Sequence, residues 1–462
     1  MIATGSLILG IFSLTIDSPD DASFDLVDSP DAAIHESKFL EFFAPLFDIR
    51  EQEFPDLAQE KPKAVKGRNA FELLNGFEVP NLPSNLSRRL RLLLKEETAW
   101  DAPLGDTLIQ ETIWSEGVVA KLEACSHLRY PDEQDETLIF LTAPPLTQTL
   151  CLRHRKACSR SRYDEALRHL KSIQSIAQLF KESNGPIRDQ LIGEVIQSVL
   201  NREIQWTLKF HSPPEKSLVE YLELCSLSFE DSERRFRSSL KKDFRRSVNQ
   251  LEKISLDPGL FPKKKLTPLD NPLTALIKLP EVRHLLFYKK NRTIRRTAES
   301  YRDLATILGK RPHERPPAKD QSLFDLVRPT LFGNRTGYRI YQRNFFDPGI
   351  TFRTTDRNQA KSDLLKIAIA LKIHEKRAGT LPKTLEALTP AILPALPKDH
   401  FSKENYRYDP EKRRVWSVGR DFIDEGGLEH PEILKGMGKE NTGIKRPDRT
   451  QEGNEPTIWL WP

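Results

Sequence analysis

The chain has 462 residues, 38% of them apolar and 30% charged, with a mean hydropathy of -0.52, which is enough material for two or three soluble domains. Its 71 basic and 66 acidic residues leave a net charge of +5, too near balance to point to a nucleic-acid partner, which usually shows a concentrated basic excess. With 21 Gly beside 33 Pro, the chain is neither a glycine-rich barrel nor a Rossmann-type protein.

Residues 1–16 carry no charge. A spanning helix needs about 20 apolar residues, and this stretch has neither the basic leader nor the A-x-A site of a signal peptide. Two readings remain open: a signal anchor or signal peptide whose start lies upstream, or a buried N-terminal strand. The abrupt acidity from Asp17 favours the first. Residues 17–64 then read as an acidic tether, with thirteen acids against Lys38 and Arg50 between Asp17 and Glu60. The repeated Asp-Ser-Pro-Asp at 17–20 and 28–31 is linker and cap chemistry.

A helical domain is expected from 65 to 310. Its first part reads as helices over Arg88–Glu97 and Leu104–Leu128, the second capped by Asp101 or Asp106. The stretch from Pro131 to Pro145 reads as a loop. Ala166, Leu170, Ile173, Ala177 and Phe180 then form a narrow apolar seam at alternating steps of four and three. Asn184-Gly185-Pro186 stops that helix and starts another, for which Ile192, Val195, Val199, Trp206 and Phe210 are the expected seam. The two read as an antiparallel hairpin.

A further helix is expected from Ser228, with Phe236, Leu240, Phe244, Val248 and Leu251 on one face. Arg234, Arg235, Arg237, Lys241, Lys242, Arg245 and Arg246 lie on the other. Interspersed Glu230, Asp231, Glu233 and Asp243 favour a solvated face over a phosphate-binding one. Residues 311–330 read as a linker.

Catalytic signatures are missing. The His-Glu pairs at 35–36, 313–314 and 374–375 have no second His one helical turn on. G-x-S-x-G, P-loop and G-x-G-x-x-G patterns do not occur. Cys125, Cys151, Cys158 and Cys225 contain no C-x-x-C pair and match no usual zinc spacing. Free thiols are the stronger reading, although Cys151 and Cys158 can pair in an oxidising compartment.

The final part, 331–462, is the most distinctive. Ala360, Leu364, Ile367, Leu371 and Ala378 predict a helix face ended by Gly379. Leu381-Pro382 turns the chain, and Leu385, Leu388, Ile392, Leu393 and Leu396 are placed to pack back. Asp399 precedes a hairpin of Tyr406-Arg407-Tyr408 and Val415-Trp416-Ser417-Val418, with Ile458–Pro462 as a closing strand.

This order resembles the globular part of type II secretion pseudopilins of the major-subunit (G-type) class. The carriers are Leu371, His374, Gly379, Pro382, Leu385 and Leu388 at their spacing, the turn Pro397-Lys398-Asp399-His400-Phe401, and Ser417-Val418-Gly419-Arg420-Asp421. It is similar also to the tail of large bacterial envelope proteins with a helical region behind an N-terminal anchor. Departures are His400 in place of a proline, His374 where an aromatic is common, and the polar insertion 428–456. Asp17, Pro19 and Asp20 interrupt the place where a pilin's apolar helix runs on, so assembly into a pilus is not expected.

The resemblance implies a small α+β domain, a calcium ion held by Asp421 and Asp424 with Glu425 beside them, and a place in the cell envelope, membrane-anchored through the N-terminus or periplasmic. The expected fold is therefore mainly α: a helical domain, then a pseudopilin-like domain of one helix and a short antiparallel sheet. The expected role is non-catalytic, secretion-associated or scaffolding, with an unidentified protein partner and no nucleic acid. The alternative is a hydrolytic enzyme whose site lies in the helical domain.

Overall fold

The computed structural model describes residues 67–75, 77, 80, 83–95, 98–130, 139–183, 185–225, 230–256, 290–308, 310–315, 348–419, 424, 426 and 457–459. Among them the helices are α1 (Ala70–Asn75), α2 (Ser84–Leu93), α3 (Ala102–Glu111), α4 (Ser115–Glu123), α5 (Ile139–Ser159), α6 (Tyr163–Lys181), α7 (Ile187–Phe210), α8 (Glu215–Leu224), α9 (Glu230–Leu256), α10 (Lys290–Ile307) and α11 (Pro348–Ala378). Three short strands, β1 (Arg407–Asp409), β2 (Arg414–Trp416) and β3 (Thr457–Trp459), form one antiparallel sheet in the order β1-β2-β3. The mainly helical fold with a small antiparallel sheet agrees with the expectation. Residues 1–66, and with them the expected anchor (1–16) and the whole acidic tether (17–64), lie outside the described residues. Among the described residues no helix is long and apolar enough to cross a membrane.

The chain divides into two compact units, one of 1–61, 237–308 and 316–347, the other of 62–236, 309–315 and 348–462. This differs from the expected division into 65–310 and 331–462. The physical reason is a shared core: Leu364, Ile367, Ala368 and Leu371 of α11 are buried in the same apolar cluster as Leu170, Ile173, Leu200 and Ile204. α11 is buried on nearly all sides from Ser362 to Ile373, as a central helix is.

In the larger unit Asp101 caps α3, accepting from Leu104 N at 3.2 Å. The expected helix over 104–128 is broken at 112–114 into α3 and α4. The loop expected up to Pro145 is instead helix from Ile139, with Pro144 and Pro145 inside α5. The hydroxyls of Thr147 and Thr149 bond back to the Ala143 and Leu146 carbonyls at 2.8 Å. The α6 seam is as expected, with Ala166, Leu170, Ile173, Ala177 and Phe180 all buried.

The α7 seam is not as expected. Val195 is 47% exposed, while Ile196, Leu200, Ile204 and Leu208 enter the main core and Trp206 sits in a separate cluster with Ala157, Cys158 and Ala166. α7 packs on α5, α6 and α11 together, so several of its faces are interior and no single stripe defines it. Gly193 permits the close approach to α6. A Cβ there would lie 2.5 Å from Lys181 Cγ and 2.9 Å from the Ala177 carbonyl oxygen. Gly193→Ala is expected to destabilise by about 2 kcal/mol in chemical denaturation, because overpacking outweighs the better helix propensity of Ala. Gly117→Ala in α4, where the added methyl meets nothing within 4 Å, is the control and should stabilise by ~0.5 kcal/mol.

In the other unit Leu240, Phe244 and Leu251 of α9 and Ile294, Ala298 and Tyr301 of α10 are buried. The Phe244 and Tyr301 rings meet edge to face at 5.6 Å.

Candidate functional site

The side chains carrying the C-terminal resemblance converge at the end of the larger unit. α11 ends at Gly379, whose φ of +77 suits the left-handed C-cap and whose N–H donates to the Glu375 carbonyl at 2.8 Å. Leu385, Leu388 and Leu393 then fold back into the core. The chain next reaches Asp399, which is fully buried. Its Oδ1 accepts from Phe401 N at 3.0 Å and Ser417 Oγ at 2.6 Å, and its Oδ2 from Val418 N at 3.0 Å. Ser417 Oγ in turn accepts from Gly419 N at 3.2 Å. One carboxylate thus joins the Pro397–Phe401 turn to the Ser417-x-Gly419 segment. The hairpin holds β1 against β2 with Tyr408 opposite Val415, and β2 against β3 with Val415 opposite Ile458.

His400, standing where the resembled turn has a proline, is also buried. Its Nε2 donates to Asp356 Oδ1 at 2.9 Å. The Arg315 guanidinium grips both oxygens of Asp356, with Nη2 at 2.9 Å from Oδ1. His313 Nδ1 donates to the Phe401 carbonyl at 3.1 Å. Burial would raise the Asp356 pKa, but the hydrogen bonds from His400 and Arg315 outweigh it and hold the carboxyl below its usual range. Two turns on, Asp363 accepts from Tyr406 Oη at 3.3 Å. Burial pushes the Asp363 carboxyl up and the Tyr406 phenol well up. The cluster binds segments together, and each of its acids already holds protein donors.

Of the three expected calcium ligands, Asp421 and Glu425 lie outside the described residues. Asp424 accepts from Trp416 Nε1 at 2.9 Å and Gly426 N at 3.0 Å on Oδ1, and from Arg407 Nε at 3.1 Å on Oδ2. Burial raises its pKa, and these donors together lower it below the ordinary value. A divalent cation would have to compete with a guanidinium and a turn cap for this carboxylate. Among the described residues no three His, Cys, Asp or Glu side chains are grouped to hold a metal.

The interior holds a second chemistry-bearing cluster. His154 Nδ1 faces the Ala166 carbonyl at 3.1 Å and therefore carries the hydrogen, leaving Nε2 2.8 Å from Thr207 Oγ1 and 3.7 Å from Cys158 Sγ. A Cys–His pair is what a thiol nucleophile needs. Here burial pushes the Cys158 thiol up to about 12 and the His154 imidazole down, so neither is activated. All four cysteines are free, including Cys151 and Cys158. His374 donates Nδ1 to the Thr380 carbonyl at 3.1 Å, a helix-end bond.

Burial lowers His154, His169 and His211 alike, His169 to about 4. The folded chain resists a proton that the unfolded chain accepts near pH 6.5, so stability must fall as pH drops from about 6.5 towards 4. Asp363, shifted up, works in the opposite sense as one group against three. Thermal melting across that window is expected to show His169→Gln removing part of the slope, of the order of 3 kcal/mol.

No family model, curated protein or solved structure matches the chain.

Proposed function

We propose that this chain is a non-catalytic protein of the bacterial cell envelope, held at the membrane by its N-terminal segment, with a pseudopilin-like C-terminal part that packs and recognises a protein partner. The observation that carries the reading is the buried Asp399 clamp, which unites the proline–acid turn with the Ser-x-Gly segment on which the resemblance rests. The long helix ended by Gly379 and the antiparallel sheet after it support it in the same order along the chain. The buried His154–Cys158 pair, with its thiol protonated at neutral pH, gives the hydrolytic alternative no nucleophile.

Fractionation of cells producing the full chain tests the reading. Recovery with membranes or periplasm is expected, and a wholly cytosolic protein would overturn it. Millimolar calcium, the range of weak extracellular sites, is expected to leave the melting curve where a chelator leaves it.

A further inference from the structure

Two arginines two residues apart on α5 are treated differently by the fold. Arg155 has all five of its N–H groups bonded, to Glu203 and to the Leu93, Leu94 and Lys95 carbonyls. Arg153 pairs through Nη1 with Glu116 Oε1 at 2.8 Å, while its Nε and Nη2 are buried with no hydrogen-bond partner among the described residues. Buried guanidinium nitrogens are costly to leave unbonded, and among the described residues no other arginine has two of them. Trp114 Nε1, just before the start of α4 where Glu116 sits, is a third buried donor without a partner.

The two nitrogens left over on Arg153 are a matched pair. Nε–H and one Nη2–H run parallel along one edge of the planar group, the edge that takes both oxygens of a carboxylate. All three orphaned atoms are donors, and an indole N–H can only donate. Their missing partner is therefore an acceptor, and the charge of the guanidinium favours an anion. The place is close to the surface, since the Arg153 side chain is 15% exposed and that of Glu116 58%. An edge that is itself buried suits a small ion and excludes a chain. Burial, with the nearby His154, Arg153 and Arg168, holds His169 down to about 4, so at neutral pH this neighbour of Arg153 adds no charge.

We propose that the Nε/Nη2 edge of Arg153 is a binding site for a small carboxylate, seated where α5 meets the start of α4. Glu116 holds the guanidinium from its other edge, and its charge opposes the incoming anion. The site is independent of the envelope reading and of the resemblance behind it, so the outcome of fractionation leaves it untouched.

The test is proton saturation transfer from the full chain to the methyl group of sodium acetate at pH 7, with chloride holding the ionic strength constant. Transfer that saturates with acetate concentration is expected. Arg153→Lys keeps the charge but lacks the two-nitrogen edge, and should weaken acetate about tenfold, the worth of one hydrogen bond to a charged group. Glu116→Gln alters a side chain at the surface, so it tests the site even where the lysine variant fails to fold. It removes the opposing charge and should bind acetate more tightly than the unaltered chain. Absence of saturable transfer, equal affinity in Arg153→Lys, or unchanged or weaker affinity in Glu116→Gln overturns the proposal. Displacement of acetate by an equal concentration of inorganic phosphate overturns the assignment to a carboxylate in favour of a phosphate site.

Discussion

Replacing Arg155 with Met is expected to destabilise the larger unit by about 3–5 kcal/mol. Arg155 and Glu203 are both fully buried, and the guanidinium meets the carboxylate at 2.7 Å through Nε and 3.0 Å through Nη2. The same guanidinium donates to the carbonyls of Leu93, Leu94 and Lys95, where α2 ends, and lies 4.5 Å over the Trp206 ring. Removing it strands a buried carboxylate and unsatisfied helix-end carbonyls together, and both are costly in an apolar interior. The attraction within the pair roughly offsets its own desolvation, so Arg155→Met/Glu203→Leu should recover the part of the loss that comes from the stranded carboxylate and leave the part that comes from the Leu93–Lys95 carbonyls. Urea denaturation of the two single variants and the double variant measures this. A double variant as unstable as the sum of the singles would show that the pair is not a coupled unit.

Asp399→Ala carries the second large effect, an expected loss of about 3 kcal/mol concentrated in the C-terminal sheet. Three donors converge on this carboxylate, and two of them are backbone N–H groups. Hydrogen exchange at Val415 and Val418 reads the local loss, which global melting would blur. Ser417→Ala removes one hydroxyl donor and should cost about 1 kcal/mol. Protection of Val415 and Val418 unchanged in Asp399→Ala would remove the clamp as the basis of the pseudopilin-like reading.

The buried interior of the larger unit is polar along a line that crosses three helices. Lys181 Nζ of α6 meets Glu194 Oε1 of α7 at 3.2 Å. The Asn358 amide of α11 donates to Glu194 Oε2 at 2.8 Å, and Asn201 Nδ2 donates to Ser362 Oγ at 3.1 Å. Such a ladder fixes the relative rotation of helices that apolar contacts alone would allow to slip. Its members are spent on one another, which is consistent with a packing role.

By itself the sequence determined the elements whose signal is local. The α6 seam, the Asp101 cap, the Gly379 stop and the hairpin pairing all follow from periodicity of 3.6 or 2, or from a residue's own backbone preference. What only the tertiary structure decided are the choices that depend on neighbours distant in the chain. Val195 faces outward because α7 meets several helices at once, and α11 joins the core of α5 to α8 instead of standing in a domain of its own. Asp356 finds His400 and Arg315, and Asp243 is buried although it stands in a run of basic residues. A charge's partner, and the buried side of a helix that meets several neighbours at once, are set by three-dimensional proximity, which local spacing does not encode.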